Sequence, residues 1–259
     1  MREHNRLCGA LELAHSSWSN EERFWKARQI VIAKIQRITY EEWLPALMGS
    51  QINIYYTGVN KPIGESISAE FSVVAYRVGH SMIPDHIGPF QLPTLFFNAQ
   101  LLVQYGIEPM LQAAFQTPSE RVDLSVVDGL RNFMFSAGPN IMGEDLVTRN
   151  LFRAREVGIT TYDKFKQCFN QPKTTSSEQE SYVGLLSEPL VAGSSLPRTI
   201  AAVIGEQFRR LRIYDDNFYT KISRNIGSEY WREISYTTLS SVIEANTALT
   251  NIPKDVFRV

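Results

Sequence analysis

The chain holds only two cysteines and four histidines in 259 residues, and each shortage removes a class of function. Cys8 and Cys168 allow at most one disulfide, lie far apart in sequence, and sit in no CxxC or metal-ligand spacing. A disulfide scaffold and a structural zinc site are therefore excluded, and free thiols are expected. The sequence has no HExxH, no GxSxG and no phosphate-cradling glycine loop, which sets aside zinc-protease, serine-hydrolase and nucleotide readings. Net charge is also scarce: 26 basic against 27 acidic residues give −1, with no long-range pull toward nucleic acid or anionic lipid. No apolar run approaches the ~20 residues of a membrane span, so no span is expected. Met1-Arg2-Glu3-His4-Asn5-Arg6 is too charged to open a signal peptide, and no Asn-x-Ser/Thr acceptor hints at secretion.

What the sequence does contain is helix. Hydrophobic residues make up 44% of the chain, enough for a sizeable core in one domain spanning residues 1–259. Ser19 and Glu22 form a capping box ahead of Phe24, Ala27, Val31, Ile35 and Ile38, a helix expected to stop near Trp43-Leu44-Pro45 where proline disfavours continuation. An irregular loop is expected over Gly49 to Gly64. Further helices are expected over Leu95 to Tyr105, Pro109 to Phe115, Val122 to Phe135, Glu144 to Val157, Thr161 to Phe169, Arg198 to Arg212 and Thr237 to Asn246. Gln171 to Glu180 is polar and reads as an exposed loop. Alternating strand patterns are scarce, and the fold class is mainly α.

The most informative stretch runs from Glu70 to Pro84. It places Arg77 and His80 three residues apart, on one face if helical, with Gly79 between them lacking a Cβ and leaving room for a flat ligand. Imidazole can ligate a haem iron and guanidinium can hold a propionate. The competing reading makes His80 a capping or core residue. Leu146, Asn150 and Arg153 recur at four- and three-residue spacing on another predicted helix. Asn150 could accept the second N–H of an iron-bound imidazole and Arg153 could meet a second propionate. The simpler reading of these residues by themselves makes Asn150 a helix cap and Arg153 a solvated or ion-paired surface residue. Composition does not decide between these pairs.

Several separated blocks, in order, resemble the animal haem peroxidase superfamily of the myeloperoxidase and peroxinectin kind. They are Arg2-Glu3-His4-Asn5-Arg6; Ala27-Arg28-Gln29-Ile30-Val31-Ile32-Ala33 with Ile38-Thr39-Tyr40 and Trp43-Leu44-Pro45; and Glu70-Phe71 through Tyr76-Arg77-Val78-Gly79-His80-Ser81-Met82-Ile83. Asp145-Leu146 through Asn150-Leu151-Phe152-Arg153-Ala154-Arg155 with Gly158 and Tyr162 follow, then Ser187-Glu188-Pro189-Leu190, Ile204-Gly205-Glu206-Gln207-Phe208-Arg209-Arg210-Leu211-Arg212, and Leu239 through Thr247. The resemblance implies a helical peroxidase-like fold and a haem b cofactor. It makes His80 the proximal iron ligand, Asn150 its hydrogen-bond partner, and Arg77 and Arg153 the propionate contacts.

It also implies hydrogen peroxide and small halide or phenolic donors as substrates, and an extracellular setting. In the family, a distal histidine, a distal arginine, a calcium loop and haem-esterifying carboxylates precede the first of these blocks, and none has a counterpart here. The chain thus reads as a partial domain, the proximal haem side, with a missing N-terminal half as its natural partner and poor activity when isolated. His4, His15 and His86 are expected in surface or capping roles rather than as a substitute base. Glu156-Val157 and Tyr214 to Tyr219 depart from the family pattern. The alternative is a catalytically silent peroxidase-like module kept for adhesion or docking.

Overall fold

Apolar residues at helical spacing need a second helix to cover them, and helices are what this chain builds. The computed structural model describes residues 1–49, 66–136, 141–173 and 179–258 and is mainly α. One antiparallel hairpin, His86–Ile87 paired with Phe90–Gln91, is the sheet present among the described residues. The expected loop over 49–64 and the middle of the 171–180 loop lie outside the described residues, Gly49 apart. Residues group into two compact units: Met1–Ala46 with Asp215–Val259, and Leu47–Tyr214.

In the first unit, helices Arg2–Ala14 and Asn20–Ile38 face each other through Leu7, Leu11, Ala27, Ile30 and Ala33, closed by Phe218, Ile222 and Ile234. The Ser19 capping box is formed: Glu22 N–H donates to Ser19 Oγ at 3.2 Å and Ser19 N–H to the Glu22 carboxylate at 2.7 Å. The helix does not end at Pro45. A π-helical turn over Thr39–Trp43 leads into helix Leu44–Met48, and this wider turn displaces the carbonyl with which the proline ring would otherwise collide. His15 caps the first helix, with its ring 2.6 Å from the Tyr230 hydroxyl, and His4 reaches the Phe24 carbonyl at 3.3 Å. Exposed His86 belongs to the hairpin in the second unit.

Arg2-Glu3-His4-Asn5-Arg6 is a structural knot. Glu3 accepts from Arg6 at 2.8 Å, from Lys34 at 2.5 Å and from Asn246 at 2.7 Å, while Lys34 and Arg6 each reach Glu233 at 2.6 Å. Burial raises the Glu3 pKa, but the bonds from Arg6, Lys34 and Asn246 overcome it and hold the carboxyl at about 2. The first and last of the quoted blocks therefore meet in one unit.

In the second unit, helix Arg198–Tyr214 is buried along most of its length. Its Gln207 accepts from Ser68 N–H at 3.0 Å and its Arg210 donates to the Ser66 carbonyl at 3.1 Å, fixing the chain that leads to His80. Glu188 accepts from the Thr199 N–H and from the Tyr162 hydroxyl, both at 2.8 Å, so the Ser187-Glu188-Pro189-Leu190 block ties three helices together. Two expectations fail locally. Leu95 to Tyr105 is divided into Leu92–Leu95 and Gln100–Tyr105, with Phe97 between them at φ 53, a left-handed conformation that ends a helix. Of Val122 to Phe135 only Asp128–Arg131 is helical, because Asp123 accepts from Ser125 N–H at 2.7 Å and turns the backbone aside. Helices Ser181–Leu186 and Ser228–Ser235, of six and eight residues, are too short to announce themselves by periodicity. Both cysteines are free.

Candidate functional site

The site belongs to the second unit and starts at a helix cap. Ser68 accepts from Phe71 N–H at 3.2 Å and opens helix Ala69–Val73. Val74, at φ −125 and ψ −74, breaks it, and the chain continues as a 3₁₀-helix over Ala75–His80. In that tighter helix residues i and i+3 eclipse, so Arg77 and His80 share one face. Arg77 Nε donates to the Ser72 carbonyl at 3.0 Å, and no carboxylate pairs with it among the described residues. Phe71 anchors the segment, stacked on Tyr76 at 4.5 Å and edge-on to Phe208 at 6.0 Å.

Asn150 comes from the facing helix, Leu146–Glu156. Asp145 caps that helix by accepting from Val147 N–H at 2.8 Å and Thr148 N–H at 3.1 Å. The capping role is therefore filled, and Asn150 sits inside the helix at 2% exposure. Its Nδ2 stands 2.8 Å from His80 Nδ1. Residues 70 positions apart in sequence are thus joined directly. Burial, and then the charge of Arg77, push the His80 pKa down to about 4. The imidazole is neutral at pH 7, the form that ligates a metal.

Arg77, Asn150 and Arg153 line one cavity of about 510 Å³ together with Ser72, Leu146 and Phe152. Its size falls in the range of small-molecule and cofactor sites, ≈ 300–1,000 Å³. His80 is not one of its lining residues; Asn150 lines it and contacts His80. Arg153 is exposed and 3.5 Å from Glu156, the surface ion pair that was the simpler reading of that residue. Its guanidinium remains beside the cavity. Arg149, a further lining residue, was missed; its spacing of four from Arg153 was the available signal. It pairs with Glu144 at 2.6 Å. Tyr182 was also missed: 4% exposed, it holds a hydroxyl with no hydrogen-bond partner, and no periodicity points to it.

No cluster of three His, Cys, Asp or Glu able to hold a bare metal ion is present among the described residues. A porphyrin iron carries its own equatorial ligands and takes one imidazole from the protein. A single neutral imidazole, an amide on its second nitrogen and arginines beside an adjoining cavity fit such a group. A second cleft, of about 640 Å³ and lined by Trp18, Trp25 and Ile32, lies in the first unit. Its Glu22 is engaged in the capping box and its Lys26 on the Ile226 carbonyl at 2.7 Å, which leaves it without comparable chemistry. No described helix is long and apolar enough to cross a membrane.

Comparisons with known proteins give the chain's relatives. The animal haem peroxidase family model matches residues 1–181 and 177–257. Peroxinectin A of Dictyostelium discoideum is 32% identical over 100% of this chain and 53% of its own length. Chorion peroxidase of Drosophila melanogaster is 32% identical over 84% of this chain and 32% of its own. Among solved structures, peroxidase A of Dictyostelium discoideum superposes with a TM-score of 0.87 at 29% identity, covering 100% of this chain and 55% of that one. A fatty acid alpha-dioxygenase of Arabidopsis thaliana, at 16% identity and a TM-score of 0.79, shares the fold. The chain spans about half the length of the first of these relatives or less.

Proposed function

The chain belongs to the animal haem peroxidase family, and from that premise we propose that it forms the proximal, histidine-bearing part of a peroxidase domain that reduces hydrogen peroxide and oxidises halide or phenolic donors. The observation that carries this reading is the 2.8 Å contact between Asn150 and His80 beside a cavity lined by Arg77 and Arg153. In this reading His80 is the iron ligand. Asn150 engages the ring's other nitrogen and so sets its orientation and basicity. Arg77 and Arg153 hold the anionic rim of the cofactor, Arg77 from a place fixed by its bond to the Ser72 carbonyl.

When bound, haem iron supplies the redox chemistry that couples peroxide reduction to donor oxidation. Peroxide cleavage further needs a base that takes the first proton and returns it to the leaving oxygen, with a cation beside the separating charge. No residue of this chain is assigned either role. His15 is engaged by Tyr230, and His4 by Phe24. Residues 1–259 are accordingly read as part of one domain that works with a distal half, weakly active alone, in the extracellular setting of the family.

Titration of the purified chain with ferric protoporphyrin tests this. A saturable Soret band that His80→Ala weakens supports the assignment. Identical spectra from both proteins would point instead to a silent module kept for docking.

A further inference from the structure

The cleft of about 640 Å³ in the first unit holds no reactive group, but its walls are fixed before any ligand arrives. It runs along one face of helix Asn20–Ile38, where Glu22, Trp25, Gln29 and Ile32 recur at three- and four-residue spacing. The core is built from other positions of the same helix: Ala27, Ile30 and Ala33 are fully buried. Trp25, 53% exposed, is not needed there.

Both indoles that border the cleft are held in place. Trp18 stacks on the His15 ring at 4.0 Å, and His15 is itself 2.6 Å from the Tyr230 hydroxyl. Trp25 donates its Nε1–H to Glu21 at 3.3 Å and meets Phe24 edge-on at 5.3 Å. Aromatic groups ordered in advance lower the entropic cost of stacking a ligand on them.

The polar side of the cleft sets two cations against one carboxylate. Glu22 is turned toward the start of its own helix, accepting from Ser19 N–H at 2.7 Å and from the Ser19 hydroxyl at 2.8 Å, and Lys26 is held on the Ile226 carbonyl at 2.7 Å. Arg28 differs. Its guanidinium lies 5.3 Å from the centroid of the Trp25 ring, and its N–H groups, like the side-chain amides of Gln29 and Asn217, make no hydrogen bond or ion pair among the described residues. A guanidinium stacked on an indole keeps its N–H edge free for a carboxylate. Indole walls suit a flat ring, and the excess of positive charge suits an anionic substituent on it. A sugar acid would bring more hydroxyls than two amides can satisfy.

We propose that this cleft binds a small aromatic carboxylate, its ring on the indole-lined wall and its carboxylate on Arg28. The site uses no haem, so its failure and the failure of the peroxidase reading are separate results.

The probes are 2-naphthoate, its uncharged counterpart 2-naphthamide, and glucuronate, added to the full chain labelled with nitrogen-15 at tryptophan. Four indole N–H signals are expected, from Trp18, Trp25, Trp43 and Trp231, with the first two assigned by Trp18→Phe and Trp25→Phe. 2-Naphthoate is expected to shift the Trp18 and Trp25 signals saturably and to leave Trp43 and Trp231, which do not line the cleft, in place. Arg28→Gln is expected to weaken 2-naphthoate about fivefold and to leave 2-naphthamide unchanged. Trp25→Ala should weaken 2-naphthoate about tenfold. Both residues are exposed, so the urea midpoint should stay near that of the wild type. No saturable shift of Trp18 and Trp25 by about 1 mM 2-naphthoate overturns the site. Equal affinity for the acid and the amide overturns the role of Arg28, and the same shifts with glucuronate at equal or higher affinity overturn the aromatic class. Should a variant fail to fold, the comparison of the three probes on the wild-type chain decides alone.

Discussion

The two units each hold a polar cluster, and the clusters differ in what their groups do for one another. In the first, Glu3, Arg6, Lys34, Glu233 and Asn246 satisfy each other, opposite charges meeting at 2.5 to 2.8 Å. In the second, His80 and Asn150 share one contact, Arg77 brings a charge of the sign that His80 would carry on protonation, and the Tyr182 hydroxyl has no partner. Mutual satisfaction holds a fold together. Unused hydrogen-bonding capacity is what a ligand can complete.

Breaking the first cluster should therefore cost stability and breaking the second should cost binding. Lys34→Ala removes a 6%-exposed ammonium that meets two carboxylates, leaving Arg6 and Asn246 as their partners, and is expected to destabilise by about 2 kcal/mol, read from the urea midpoint. If the midpoint moves by less than a third of that, the knot is not structural. Asn150→Leu, by contrast, is expected to weaken ferric protoporphyrin binding about 10–100-fold with a much smaller change in the urea midpoint. Equal losses in both readouts would erase the distinction between the clusters.

Acid sharpens the same contrast. His80 titrates near 6.5 unfolded and about 4 folded, so the porphyrin-free chain binds more protons when unfolded, and stability falls as pH drops from 6.5 toward 4. Glu3, at 4.5 unfolded and about 2 folded, contributes stability that is complete above 4.5 and lost as pH falls through 2. Unfolding free energy measured against pH should show both windows, with His80→Ala removing the upper one and Glu3→Gln the lower. The smallest effect belongs to Arg153→Ala. Its exposed pair with Glu156 is expected to contribute at most about 0.5 kcal/mol, while porphyrin affinity drops only a few-fold.

The mainly α architecture was legible because helix caps and periodicity are local. Ser19 with Glu22, and Arg198 onward, behave in the structure as their spacing predicts. Arg77 and His80 could be placed on one face from three-residue spacing, although the 3₁₀ geometry that eclipses them was not foreseeable. The joining of His80 to Asn150 was legible only through the family resemblance, since spacing within one helix says nothing of a partner 70 residues away. Tyr182 was hidden because a six-residue helix carries no period and a phenol no metal-ligand signature. The failures at Pro45 and over 122–127 share a cause: a π turn and an Asp123 side chain redirected the backbone at single positions that propensity averages over.

The most direct test of the account is the resonance Raman spectrum of the ferrous porphyrin complex of the full chain. An iron–imidazole stretching band that is present in the wild type, absent in His80→Ala and restored to that variant by added imidazole is the expected result. The same band in His80→Ala without imidazole would place the ligand elsewhere and contradict the assignment.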